Sequence, residues 1–259
     1  MRILLLDTCG ATGSVALADT AREPAIVAFA SLPGRTASER LLPTIKQLAA
    51  TAEISLQATS QPGTGPQPLE AVVVVHGPGS FTGVRVGLSA AKGLCEALNL
   101  PLIAISRLSI LASRAQRPLA TPVRALLDAG RGEFYSGLYV DGRCLREALL
   151  TRDQLLAETV RATTSEVAIT CELVVAEAIA TLFPQIELQL VAEPTTTDAL
   201  PLAIDRISQR AYDDTATIDA NYLRRSDAEI FAKPTPRSVE SKHSVVIQNV
   251  GGPASKPAQ

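Results

Sequence analysis

The chain has 259 residues, 46% apolar and 19% charged, which suits a folded globular protein with a sizeable core. A formal net charge of −2 argues against binding nucleic acid through a broad basic face, and 3% aromatic residues with no Trp argue against a stacking platform for single strands. Four scattered cysteines, Cys9, Cys95, Cys144 and Cys171, form no Cys-x-x-Cys pair, so neither a zinc site nor a disulfide framework is indicated.

Along the chain, Ile3 to Thr8 reads as an apolar strand that ends in Asp7. Gly13 follows, and Ser14 to Leu17 reads as a second strand closing near Asp19. The opening run is too short for a signal peptide, and no stretch nears the roughly 18 apolar residues of a membrane span. The expected compartment is the cytoplasm. Residues 37–52 carry Leu41, Leu42, Ile45, Leu48 and Ala49 at helical spacing, with Ser38 as the expected cap. Residues 57–68 are rich in Pro, Gly, Ser, Thr and Gln and read as a loop.

The run from Gly77 to Gly87 is the most informative stretch. Ala71 to Val75 precede it as a β-branched run, and residues 84–98 follow as a helix of small residues. Gly77 and Gly79 flank the rigid Pro78, and Ser80 or Thr82 is placed to cap the helix. No Gly-Lys-Ser/Thr follows, so this is not a P-loop. Gly83, Gly87, Ala90, Ala91, Gly93 and Ala97 crowd the helix, and each interior Gly costs about 0.8–1.0 kcal/mol relative to Ala. Close approach of another backbone offsets that cost. Two readings are open: packing against the protein's own sheet, or a face that meets a second subunit.

Residues 102–105 read as a short strand and 106–115 as a helix. Residues 125–130 then repeat the opening plan: a strand with Asp128, a turn with Gly130 and Gly132, and a strand over 134–140 closing at Asp141-Gly142. Residues 166–170 form another expected strand, 173–182 and 199–212 two expected helices, and 233–259 an irregular, proline-bearing tail.

Several of these segments together resemble the TsaB family, also called YeaZ, of the bacterial tRNA threonylcarbamoyladenosine machinery. They are Gly77 to Gly87 continued by Ala91-Lys92-Gly93, Ile3 to Leu17, Arg40-Leu41-Leu42-Pro43, Leu127-Asp128-Ala129 with Gly132-Glu133-Phe134-Tyr135, and Tyr222-Leu223-Arg224. The resemblance covers roughly residues 1–225. It implies an α/β, two-lobed actin, sugar kinase and Hsp70-like (ASKHA) fold with duplicated ribonuclease-H-like lobes. The expected division is 1–106 for the first lobe, 107–226 for the second, with the late helix allowed to pack back on the first, and 227–259 for a disordered tail.

The resemblance also implies a subunit that is not catalytic by itself. It pairs with the catalytic paralogue TsaD, works with TsaE, meets tRNA only through the complex and self-associates as a homodimer when TsaD is absent. The modified base is the adenosine next to the anticodon of tRNAs that read codons beginning with A. Pairing is expected through the helix after the glycine turn, at Gly83, Val84, Arg85, Gly87, Ala90, Ala91 and Leu94. No cofactor is expected to be required. Weak nucleotide binding at Asp7, Thr8, Gly13, Asp128 and Gly130 stands beside a reading in which both Asp side chains serve their own turns. Relatives often carry Gly-x-Gly where this chain has Thr170-Cys171-Glu172, and a His where it has Ala37. His76 and His243 are the only histidines and lie far apart, so no metal site is expected, and no nucleophile set for a peptidase can be assembled. The alternative is an independent ATP-dependent transferase or kinase of the same superfamily.

Overall fold

The structure is a computed structural model, and it describes residues 1–33, 36–57, 66–161 and 166–224. β1 (Arg2–Asp7) is buried over five of its six residues, so its unbroken apolar run is that of a strand covered on both faces. It pairs antiparallel with β2 (Thr12–Asp19), which pairs with β3 (Ile26–Pro33). The chain then crosses over through α1 (Ala37–Thr51) and a small ladder of β4 (Ile54–Ser55) with β5 (Gln67–Pro68). It re-enters the sheet as β6 (Ala71–Val75), parallel to β1. A second crossover, α2 (Phe81–Leu98), leads to β7 (Leu102–Ile105). The sheet order is β3-β2-β1-β6-β7.

The same path is then walked again. After α3 (Arg107–Ser113) come β8 (Val123–Gly130), β9 (Glu133–Val140) and β10 (Arg143–Thr151), all antiparallel neighbours. α4 (Arg152–Arg161) crosses to β11 (Val167–Thr170), and α5 (Leu173–Leu182) to β12 (Glu187–Leu190). The second order is β10-β9-β8-β11-β12, with β11 parallel to β8 and to β12. Position by position it matches the first sheet, so the duplication suggested by two Asp-ended strands is a duplication of topology. This is the two-lobed ASKHA architecture.

The last helix, α6 (Thr196–Ser208), packs against the first sheet and buries Ala199, Leu200 and Ala203 in its core. It starts earlier than the apolar spacing predicts, because Thr195 and Asp198 form a capping box. α1 starts after Thr36 and not at a Ser38 cap, with no side-chain capping bond among the described residues, and Leu42 faces solvent. Of the expected loop over 57–68, Gln67–Pro68 pairs as a strand; residues 58–65 lie outside the described residues, as does the expected tail over 227–259.

After α6 the chain bonds in turn to both halves of the fold. Asp213 accepts from the Ala104 N–H at 2.7 Å, and Lys92 donates to the Ile218 carbonyl at 3.0 Å. Arg224 then donates to the Ala129 carbonyl at 2.8 Å and pairs with Glu133. Among the described residues, no helix is long and apolar enough to cross a membrane.

Candidate functional site

The glycine turn places the start of α2 against the first Asp hairpin. Gly77 has φ +106°, a conformation that favours glycine. Ser80 caps the helix by accepting the Gly83 N–H at 3.3 Å, and its own N–H donates to the Cys9 carbonyl at 2.8 Å. A Cβ on Gly79 would lie 2.4 Å from the Cys9 oxygen, and one on Gly83 only 2.0 Å from the Thr8 oxygen. Thr8 Oγ1 donates to the Gly83 carbonyl at 2.6 Å. The glycines therefore serve close approach of a helix to a hairpin within one chain.

That geometry divides the residues expected on the pairing face between the two sides of α2. Val84, Gly87 and Ala91 are buried on the inner side of α2, and a Cβ on Gly87 would lie 2.4 Å from Thr8 Oγ1. Gly83 is half-buried and held by the same Thr8. Arg85 is exposed, and Ala90 and Leu94 are half-buried. The outer side carries a feature that sequence reasoning missed. Arg85 stacks on Phe81, its guanidinium carbon 3.7 Å from the ring centroid and 5.5 Å from that of Tyr222, to whose hydroxyl its Nε–H donates. The two rings are 5.4 Å apart, and Phe81 and Tyr222 are 48% and 38% exposed. Tyr222 lies far along the chain, and only tertiary structure brings it here.

A cleft of about 860 Å³ opens between the two Asp hairpins. Thr8, Cys9 and Gly10 line it on one side, Asp128 and Glu172 on the other, with Arg107 and Glu193 between them. Of the residues expected to touch a nucleotide, Thr8 and Asp128 line the cleft. Asp7 is buried beneath it; Gly13 packs on the Asp7 carbonyl, and Gly130 sits in the second turn with φ +70°. The two carboxylates make matching local bonds: Asp7 Oδ1 accepts the Cys9 N–H, and Asp128 Oδ1 the Gly130 N–H, both at 2.8 Å. These are the side-chain bonds of turn residues.

The cleft's titratable groups are shaped by burial. Desolvation raises the Asp7 carboxyl above its ordinary value, against the pull of Arg107. It also raises Glu172, whose carboxylate accepts the Asp128 N–H. The Cys171 thiol is pushed up to about 11 and Cys9 well above the usual range, so neither is a thiolate at neutral pH. His76, the residue after β6, lies with Nδ1 3.2 Å from the Asp219 carbonyl. Among the described residues, no three His, Cys, Asp or Glu side chains converge as a metal-binding group.

The fold and the paired Asp hairpins define a protein of the actin, sugar kinase and Hsp70 class. A family model described as TsaD, tRNA N6-adenosine threonylcarbamoyltransferase, matches residues 31–171. The chain belongs to the TsaD family that this model describes, on its TsaB (YeaZ) side. It is 36% identical over 140 residues to the tRNA threonylcarbamoyladenosine biosynthesis protein TsaB of Escherichia coli (strain K12), covering 54% of this chain and 55% of that protein. The TsaB of Bacillus subtilis (strain 168) is 34% identical over 140 residues with the same coverage. The chain thus matches about half the length of these curated relatives. A Pseudomonas aeruginosa crystal structure, described as an uncharacterized protein with similarity to peptidase YEAZ, is 29% identical with a TM-score of 0.67, covering 86% of this chain and 99% of that one.

Proposed function

We propose that this chain acts in tRNA threonylcarbamoyladenosine biosynthesis as the non-catalytic partner of a TsaD-type subunit, with TsaE completing the assembly and tRNA engaged through the complex. The observation that carries the reading is the state of the two Asp carboxylates, each tied to its own turn. Such carboxylates serve the hairpins and leave the chemistry to another subunit. Names of the curated relatives support the pathway. The pairing face is the outer side of α2, with Phe81, Arg85 and Tyr222 as its anchors, since aromatic and Arg side chains dominate the energy of protein interfaces. In the absence of TsaD the same face joins two copies of this chain.

Reconstitution tests the proposal. TsaD with its adenylate-forming enzyme gives almost no modified tRNA until this chain is added, and none when this chain replaces TsaD. Phe81→Ala with Tyr222→Ala weakens pairing about tenfold or more by sedimentation while the fold is kept. Robust modification by this chain without TsaD would overturn the reading and favour the ATP-dependent transferase.

A further inference from the structure

An ASKHA fold implies a nucleotide with its phosphates between the two Asp hairpins, and the side chains of this cleft do not fit one. Arg107 is the only Lys or Arg among the described lining residues, and it is already engaged: Nη2 donates to Glu193 Oε1 at 2.7 Å. The Glu193 carboxylate lies directly over the first hairpin, where a Cβ on Gly10 would fall 2.1 Å from Oε1 and 2.9 Å from Arg107 Nη2. At the second hairpin the plan recurs, since the Glu172 carboxylate accepts the Asp128 N–H. Each hairpin therefore already holds a carboxylate, and with Asp128 these carboxylates repel a polyanion.

We infer that Glu193 is a built-in counter-anion: held on Arg107 above Gly10, its carboxylate takes the seat that an incoming phosphate needs and closes the cleft to nucleotides. The asymmetry of the pair supports this. Arg107 is 6% exposed and its Nε is buried with no hydrogen-bond partner among the described residues, whereas Glu193 is 39% exposed at the end of a flexible side chain. A guanidinium does not give up its charge. When Glu193 is removed, the buried cation remains and draws another anion to the same place. The inference stands on the geometry of the cleft and does not depend on the partner role proposed above.

Titration calorimetry on the full chain tests it, with inorganic phosphate and with ATP plus Mg²⁺ as separate probes. The unsubstituted chain is expected to bind neither in the millimolar range. Glu193→Ala gains binding of phosphate, ATP or both by about tenfold or more, because a charged hydrogen-bond donor is freed. Glu193→Gln, which keeps the size and loses the charge, gains less. The gained binding weakens with added NaCl and is lost when Arg107→Met is combined with Glu193→Ala. A gain for phosphate alone supports a single-anion seat. Glu193→Ala and Glu193→Gln titrations no stronger than those of the unsubstituted chain would overturn the inference, as would micromolar ATP binding with Glu193 in place. Reconstituted tRNA modification that proceeds without this chain would end the partner reading and leave these titrations untouched.

Discussion

The two lobes share one topology but stabilise it differently. Four residues before its Asp, β1 carries Ile3, and four residues before its own Asp, β8 carries Arg124. Ile3 belongs to a single apolar core into which α1, α2 and α6 all pack. Arg124 is equally buried but ionic, bonded to Glu166 through Nε at 2.7 Å and Nη2 at 3.0 Å, and through Nη1 to Ser136 and Glu158. Among the described residues, the apolar clusters of the second lobe are two and smaller. The turns differ too. The first is clamped by the start of α2, whereas at Gly130 and Gly132 of the second an added Cβ would meet, among the described residues, no atom within 4 Å beyond its chain neighbours. A duplicated fold thus tolerates different interiors, provided that each buried group finds its complement.

Substitutions at matched positions sharpen that contrast. The largest effect is expected from Arg124→Met, which strands buried Glu166 and costs about 3–5 kcal/mol, against about 1 kcal/mol for Ile3→Val. Joining Arg124→Met to Glu166→Leu should recover most of the loss in urea titrations. If the double variant is as unstable as the single one, the ion pair is not what separates the two lobes.

Next come the clamped and open turns. Gly83→Ala drives a methyl into the Thr8 carbonyl and should destabilise the monomer by about 1–3 kcal/mol. Gly132→Ala meets open space and only backbone strain at φ +75°, about 1 kcal/mol. Gly93, on the exposed side of α2 where an added Cβ would meet open space among the described residues, tells folding from pairing. Gly93→Leu should keep or raise the melting temperature through helix propensity. A lower melting temperature for Gly93→Leu than for Gly83→Ala would reverse the assignment of the two sides.

The smallest effect is a difference in pH dependence. Buried Asp7 holds its proton to higher pH than an unfolded carboxyl near 3.9, because desolvation outweighs Arg107. Its contribution to stability is therefore fully present below about pH 4 and is lost as pH rises through the raised folded value. Asp7→Asn removes that loss and keeps an acceptor for the Cys9 N–H. Its stability relative to the unsubstituted chain should rise between pH 4 and neutrality, read as denaturant midpoints. Asp128→Ala, at an exposed turn, should cost about 1 kcal/mol through the lost bond to Gly130. A flat difference for Asp7→Asn across that range would count against burial as the source of the contrast.

The strands buried on both faces were legible from their residues. Val72 to Val75 and Leu102 to Ile105 are short apolar runs between turn signals, and both are strands. Elements at the rim were not. β10 exposes its first four residues and carries three charges, and α4 buries Leu155 amid polar neighbours, so neither showed a clear period. The glycines of α2 announced a close approach but not what approaches, since a missing side chain favours any neighbour equally.

Local chemistry alone thus determined the two Asp-ended hairpins, the capped helix after the glycine turn and the absence of a P-loop, because strand burial, capping and turn bonds involve residues close in sequence. Tertiary structure decided what each piece faces. It set Gly83 and Gly87 against Thr8, brought Tyr222 onto Arg85 and Phe81, and laid Glu193 on Arg107 above Gly10. Those contacts join residues scores of positions apart, and no local pattern encodes them, because only the packing of two sheets and the path of the chain after α6 brings such groups within a few ångströms.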